Sequence, residues 1–166
     1  MGTGMRFNGC PSKNEWASAP GVPSLEDLNR KPLAVIECIE PIPCNPCEHA
    51  CPFQAITVGD PITNCPVLDP EKCTGCGTCI ACCPGLAIFV IDMNFTAATA
   101  LVTMPYELYP LPQEGAEIDC LGRGGNTVAK GRIHTVKTSE KFDKTALVSI
   151  ELSKEFAMDV RNIRMC

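Results

Sequence analysis

Cysteine spacing constrains this chain more than any other feature. The run Cys73-Thr-Gly-Cys76-Gly-Thr-Cys79-Ile-Ala-Cys82-Cys83-Pro84 is partly repeated upstream as Cys44-x2-Cys47-x3-Cys51-Pro52. Thiols at two-residue gaps can turn toward one centre, because loops that short let successive Cβ vectors converge. A disulfide framework needs no such repeat, and thirteen cysteines cannot all pair. A zinc knuckle leaves the third cysteine of the triplet and the Cys-Pro end without a role. Soft thiolates in this pattern match iron held in a sulfide cage.

The downstream run satisfies C-x2-C-x2-C-x3-C-P in full. Upstream, Pro41 stands where the first cysteine belongs. Three readings of that missing corner stay open. Cys38 leads, giving a widened loop Cys38-x5-Cys44-x2-Cys47; Cys65, in Cys65-Pro66, is a second candidate; a three-iron centre on three cysteines is the third. Pro41 and Pro43 stiffen the widened loop, and each removes a backbone N–H from the surroundings of the sulfurs. Fewer donors lower the potential of a cluster held there, one contribution among several. Gly75 and Gly77 allow backbone N–H groups to come close in the second loop.

The two runs belong to an internal repeat over residues 33–94. The first unit reads as a strand Leu33–Cys38, the cysteine loop, a short helix after Cys51-Pro52, and a strand Ala55–Val58. The second reads as a turn at Asp69-Pro70-Glu71-Lys72, the cysteine loop, a short helix near Ile80–Cys83, and a strand Leu86–Asp92.

The paired runs, the repeat and the Cys-Pro ends resemble bacterial ferredoxins carrying two [4Fe–4S] clusters. The resemblance covers roughly residues 33–94. It implies a ferredoxin-type pseudo-twofold βαββαβ fold with crossed ligation. Carried over, Cys73, Cys76, Cys79 and Cys51 hold one cluster. Cys44, Cys47 and Cys83 hold three corners of the other, and Cys38 is the leading candidate for the fourth.

The flanks differ in character. Residues 1–32 are rich in Gly, Pro, Ser and Asn and read as an extended N-terminal arm with one helical turn after Ser24, a capping pattern. Trp16 is either an interface anchor or folded back on its own domain. Residues 95–166 read as strands Ala98–Met104, Glu117–Leu121, Thr127–Val136 and Ala146–Leu152, with a proline-rich turn at Pro105–Pro112 and a hairpin at Gly122–Asn126. After Ser153, the shared face of Phe156, Val160 and Ile163 predicts a short helix. The expected fold is therefore α+β: a cluster domain followed by a small β-barrel-like module with a C-terminal helix.

The remaining cysteines read plainly. Cys82 is a small buried side chain, and Cys10, Cys65, Cys120 and Cys166 have no suggestive spacing. His49 reads as a solvated loop histidine, and His134 has no partner nameable from sequence. A net charge of −5 leaves no basic stripe for nucleic acid. The longest apolar run, Leu86–Ile91, is too short for a membrane span. The start, MGTGMRFNGC, lacks the apolar stretch of an export signal, so a reducing, anaerobic cytoplasm is expected. Aromatic content of 5% implies that more than packing holds the fold.

No G-x-G-x-x-G, P-loop or G-x-S-x-G motif is present, and no catalytic residue is assigned. The chain moves electrons without carrying substrate chemistry. The arm and extension favour a fixed subunit of a hetero-oligomer over a freely diffusing soluble ferredoxin carrier. More loosely, the whole chain is similar to ferredoxin-like proteins associated with FAD-dependent amino-acid or amine dehydrogenases of anaerobic bacteria. That similarity implies flavoprotein dehydrogenase partners, with FAD or FMN on those subunits.

Overall fold

A computed structural model describes residues 3–164. The N-terminal segment, expected as an extended arm, carries three short helices: α1 (Met5–Asn8), α2 (Lys13–Ala17) and α3 (Leu25–Leu28). Ser12 caps α2, accepting the Glu15 N–H while the Glu15 carboxylate accepts the Ser12 N–H at 2.6 Å. Ser24 caps α3 by accepting the Asp27 N–H at 3.1 Å. Trp16 and Leu28 are buried, so Trp16 is folded back rather than held out. The segment docks through its backbone where Ile36 N–H donates to Gly21 O at 2.9 Å. A Cβ at Gly21 would lie 2.6 Å from that of Ile36, so only glycine permits the approach.

The cysteine-bearing unit follows as β1 (Leu33–Ile36), α4 (Pro46–Ala50), β2 (Ile56–Thr57), β3 (Val67–Leu68), α5 (Thr78–Cys82) and β4 (Ile88–Asp92). β1 pairs antiparallel with β4, and β2 with β3. The first helix precedes Cys51-Pro52 instead of following it. Pro46 occupies the opening turn of α4, where its missing N–H costs nothing, whereas Pro52 lies just past the helix end. The two halves match locally. Cys51 and Cys83 close their helices with φ/ψ of −77°/107° and −84°/108°, and Gln54 and Leu86 both adopt φ 51°.

The extension contributes β5 (Thr99–Tyr106), β6 (Glu117–Gly122), β7 (Thr127–Lys137), β8 (Ala146–Ser153) and β9 (Val160–Ile163). These strands do not form a separate sheet. One seven-stranded antiparallel sheet runs β1-β4-β5-β8-β7-β6-β9 across the sequence boundary at residue 94. Its register places Leu33, Ile91, Val102, Ile150 and Ile133 side by side on five successive strands, all buried. Packing of such cross-strand neighbours is the main stabilising unit of a sheet.

The C-terminal helix expected after Ser153 is absent. A single 3-10 turn, Lys154–Phe156, leads into β9, which pairs with the free edge of β6. The apolar spacing of Phe156, Val160 and Ile163 fits a helix, but Val160 and Ile163 are buried by strand pairing instead. An open sheet edge beside β-branched residues outweighs a weak local helical preference.

Candidate metal-cluster sites

Two cavities lie in the cysteine-bearing unit, and each is lined by four cysteines. Cys38, Cys44, Cys47 and Cys83 line the first, together with Pro66 and Ile88. Cys51, Cys73, Cys76 and Cys79 line the second, with Ala34, Ile56 and Val90. Each set draws three thiols from one loop and the Cys-Pro thiol from the other. Cys38 is among the residues lining the first; Cys65 approaches Cys38 but does not line the cavity, although its neighbour Pro66 does. Cys82 lines neither cavity.

Local folding delivers these thiols. β1 ends at Ile36, two residues short of expectation, which frees Cys38 to leave the sheet. Cys47 and Cys79 are buried on α4 and α5. Gly75 adopts φ 67°, and a Cβ there would lie 2.8 Å from that of Pro32. Backbone N–H groups already point at sulfur. Ala55 donates to Cys51 Sγ at 3.2 Å and Ala87 to Cys83 Sγ at 3.5 Å, one matched pair across the repeat. Ala34 donates to Cys73 Sγ at 3.4 Å. Such donors favour sulfur carrying negative charge.

The thiol acidities follow from the crowding. Burial, then the neighbouring Cys73, Cys76 and Cys51, pushes Cys79 up to about 12. Burial and the nearby Cys83 push Cys47 up to about 11. Cys38 is also raised, by burial and by Cys83, Cys65 and Cys44. Burial works on Cys76 in the same sense, but hydrogen bonds from Thr78 and Thr74 outweigh it and lower its value. No lysine or arginine among the described residues lines either cavity to compensate four thiolates. The positive charge such a donor set requires must come from what it binds.

The donor set fits an iron–sulfur cluster better than a single ion. Zinc draws four thiolates to about 2.3 Å from one point. Among the described residues, no three His, Cys, Asp or Glu side chains are gathered closely enough to hold one metal ion. The cysteines line an opening without closing on one point, an arrangement that suits a multi-atom cage better than one ion.

A charged cluster that sequence reading missed forms where β4, β9 and the β6–β7 turn meet. Glu37, adjacent to Cys38, accepts hydrogen bonds from Arg123 Nε at 2.8 Å and Arg161 Nε at 2.8 Å. Arg123, in the β6–β7 turn, stacks 4.1 Å over Trp16, and Arg161, on β9, sits 4.8 Å over Phe89. Burial alone would raise the Glu37 carboxyl, but the hydrogen bond from Arg123 and the charge of Arg161 hold it below its ordinary value. These groups are separated by long stretches of sequence, so no local pattern announces them. The Gly122–Asn126 turn that carries Arg123 is the expected hairpin.

The histidines stay outside both cavities. His49 is exposed and lies 3.2 Å from Asn45 Nδ2. His134 packs edge-on against Phe95 at 4.9 Å. Cys120 is fully buried within β6, away from the cavities, and Cys166 lies outside the described residues. No helix among the described residues is long and apolar enough to cross a membrane.

No protein-family model matches this chain, and no solved structure matches it. Short stretches are similar to curated proteins. One component of a Na⁺-translocating ferredoxin:NAD⁺ oxidoreductase complex from Acetobacterium woodii is 50% identical over 38 residues, 23% of this chain and 11% of that protein. A component of an ion-translocating oxidoreductase complex from Methanosarcina acetivorans is 47% identical over 58 residues, 35% and 20% of the two chains. The polyferredoxin-like subunit of an aliphatic sulfonate oxidoreductase from Pyrococcus furiosus is 41% identical over 54 residues, 32% and 28%. The chain thus spans less than a third of the length of each of these relatives. What it shares with them is a ferredoxin-like stretch, similar to parts of subunits of oxidoreductase complexes.

Proposed function

We propose that this chain is an electron-transfer iron–sulfur protein with two [4Fe–4S] clusters. Cys38, Cys44, Cys47 and Cys83 hold one; Cys51, Cys73, Cys76 and Cys79 hold the other. The observation that carries the reading is the sorting of eight cysteines into two cavities of four, each completed by the other loop's Cys-Pro thiol. In this reading, β1-α4-β2-β3-α5-β4 is a ferredoxin-type βαββαβ unit whose outer strand β4 carries the added sheet.

A bound cluster supplies one-electron transfer. The chain's own residues do the rest. The thiolates fix each cluster, and Ala34, Ala55 and Ala87 donate N–H groups to sulfur. Ile36 and Ile88 wall the first cavity, and Ala34, Ile56 and Val90 wall the second, limiting water. α4 packs on α5, so the two sites are neighbours and electrons can pass between them.

We place the chain as a cytoplasmic subunit relaying electrons between a flavin-bearing dehydrogenase, amino-acid or amine oxidising, and a further acceptor. A flavin takes up two electrons and releases them singly, and two one-electron centres suit that task. Relatives that are subunits of oxidoreductase complexes support a fixed role over free diffusion. Anaerobic purification should give about eight iron atoms per chain and two four-iron signals on reduction. Co-purification from the native host should bring a flavin-containing chain. A monomer with no flavoprotein attached would favour the diffusing carrier, and bound zinc in place of iron would overturn the whole reading.

A further inference from the structure

The two cavities meet solvent differently. Of the residues lining the second, Pro52, Phe53, Thr74 and Cys76 are exposed, so they form its rim. Among the described residues, Cys76 is the one exposed thiol of the eight that line the two cavities. Around the first cavity only Pro46 and Pro84 are exposed, and its four thiols are buried or half-buried.

The repeat sharpens the contrast. Cys51-Pro52-Phe53-Gln54-Ala55 matches Cys83-Pro84-Gly85-Leu86-Ala87 position for position, with Gln54 and Leu86 sharing φ 51° and Ala55 and Ala87 both donating to a cysteine sulfur. Gly85 therefore stands where the other half has Phe53. A Cβ at Gly85 would meet nothing within 4 Å, so packing does not forbid a side chain there. A ring is present at one cavity only. Phe53 is 47% exposed, and a half-exposed ring on the rim of a redox site is placed for contact with another molecule rather than for the core.

The rim is also uncharged. No charged side chain among the described residues lines the second cavity. The charges that precede Cys73 in sequence are already paired, Glu71 with Arg30 at 2.9 Å and Lys72 with Asp69 at 3.2 Å. A charged group pressed against this rim would lose water without gaining a counter-charge. An apolar surface, or the face of a planar ring, carries no such cost.

We propose that the chain exchanges electrons with its partner at the second cluster, and that Phe53, with Pro52, Thr74 and Cys76, is the contact face for an uncharged, apolar partner surface presenting a flavin ring. Phe53 offers its face to that ring, and Cys76 is the ligand nearest solvent. The inference rests on the reading of two clusters and a flavin-bearing partner.

Two measurements on the iron-loaded full chain test it. In the first, a neutral dysprosium chelate is added and the EPR relaxation of each reduced cluster is followed, the signals assigned from Cys38→Ala and Cys51→Ala. The chelate should speed relaxation of the second cluster more than that of the first; an equal effect, or a larger one on the first, overturns the port. In the second, the chain, reduced and freed of excess dithionite, is mixed with free riboflavin in a stopped-flow spectrometer. Riboflavin takes two electrons, one from each cluster, and two protons from water, and both clusters return to the oxidised state. Phe53→Ala should slow this about three- to tenfold, the range an aromatic pair contributes. Phe7→Ala, which removes a ring 69% exposed on α1, should match the parent. The Phe53 effect should persist in Cys38→Ala and vanish in Cys51→Ala, which lacks the second centre. If Phe53→Ala does not load iron, Phe53→Leu, which keeps bulk without the ring, should show the same fall. A rate unchanged or faster on loss of the Phe53 ring, or an equal fall in Phe7→Ala, sinks this inference alone. A loaded chain that does not reduce riboflavin sinks the flavin-partner reading and this inference with it, and failure of the unsubstituted chain to load iron sinks the two-cluster reading.

Discussion

Replacing Ile150 with alanine tests whether the cysteine-bearing unit and the extension unfold together. Ile150 is fully buried on β8 and lies between Val102 and Ile133 in the row that reaches back to Leu33 on β1. The change deletes three carbons. At about 0.8 kcal/mol per buried CH₂, the transfer loss is about 2.4 kcal/mol. The residual cavity brings the cost to about 3–4 kcal/mol, because a sheet pinned on both sides collapses little around the gap. For a chain of 166 residues, that lowers Tm by roughly 6–16 °C. Native-state hydrogen exchange resolves where the loss is felt. If one cooperative unit spans the sheet, the slowest amides of β1 and of β8 should both exchange at least a hundredfold faster, about 2.8 kcal/mol or more. Unchanged protection in β1 beside weakened β8 would refute the shared-sheet argument. Val67→Ala, half exposed on the two-stranded sheet, is the control and should stay within about 0.5 kcal/mol of the parent.

Three further outcomes follow from the same geometry. Cys38→Ala should lose or convert the first centre while leaving the second intact, and Cys65→Ala should retain both; two intact four-iron signals in Cys38→Ala would remove Cys38 from the ligand set. Cys51→Ala should abolish the EPR signal of the centre on Cys73, Cys76 and Cys79, although Cys51 lies in the other loop. Loss of the Cys44–Cys47 centre instead would break the crossed arrangement. Burial, then Asp119, pushes the Cys120 thiol from its ordinary 9.0 up to about 11. The unfolded chain therefore releases that proton first, and folding stability should fall as pH rises from about 9 to about 11. Cys120→Ala should flatten this part of the pH–stability curve measured by denaturant unfolding; an identical slope would show that another group is responsible.

The cysteine loops are legible because their information is local. Spacing, Gly75, Gly77 and the two Cys-Pro ends restrict short stretches of backbone, and eight of the thiols line two cavities, four to each. Most strands of the extension are legible too, since alternation along β5 and β6 leaves one buried face. Elsewhere a local signal is masked by the composition around it. Ser12-x-x-Glu15 is a capping box in plain sequence, yet the Gly, Pro, Ser and Asn about it suggest an extended arm. Val67–Leu68 is too short to read as a strand without its partner Ile56–Thr57.

Sequence alone determined the number of cysteine loops, their type and the chemistry their thiols can support, because ligand spacing acts over a few residues. Tertiary structure decided the rest. The free edge of β4 recruited β5 and fused the extension to the cysteine-bearing unit, and the free edge of β6 turned an expected helix into β9. Cys38 lines the first cavity because β1 ends early, a matter of which residues its neighbour β4 can pair. Glu37 meets Arg123 and Arg161 only because the sheet folds the two ends of the chain together. Strand pairing and buried charge depend on neighbours distant in sequence, and a linear pattern does not contain them.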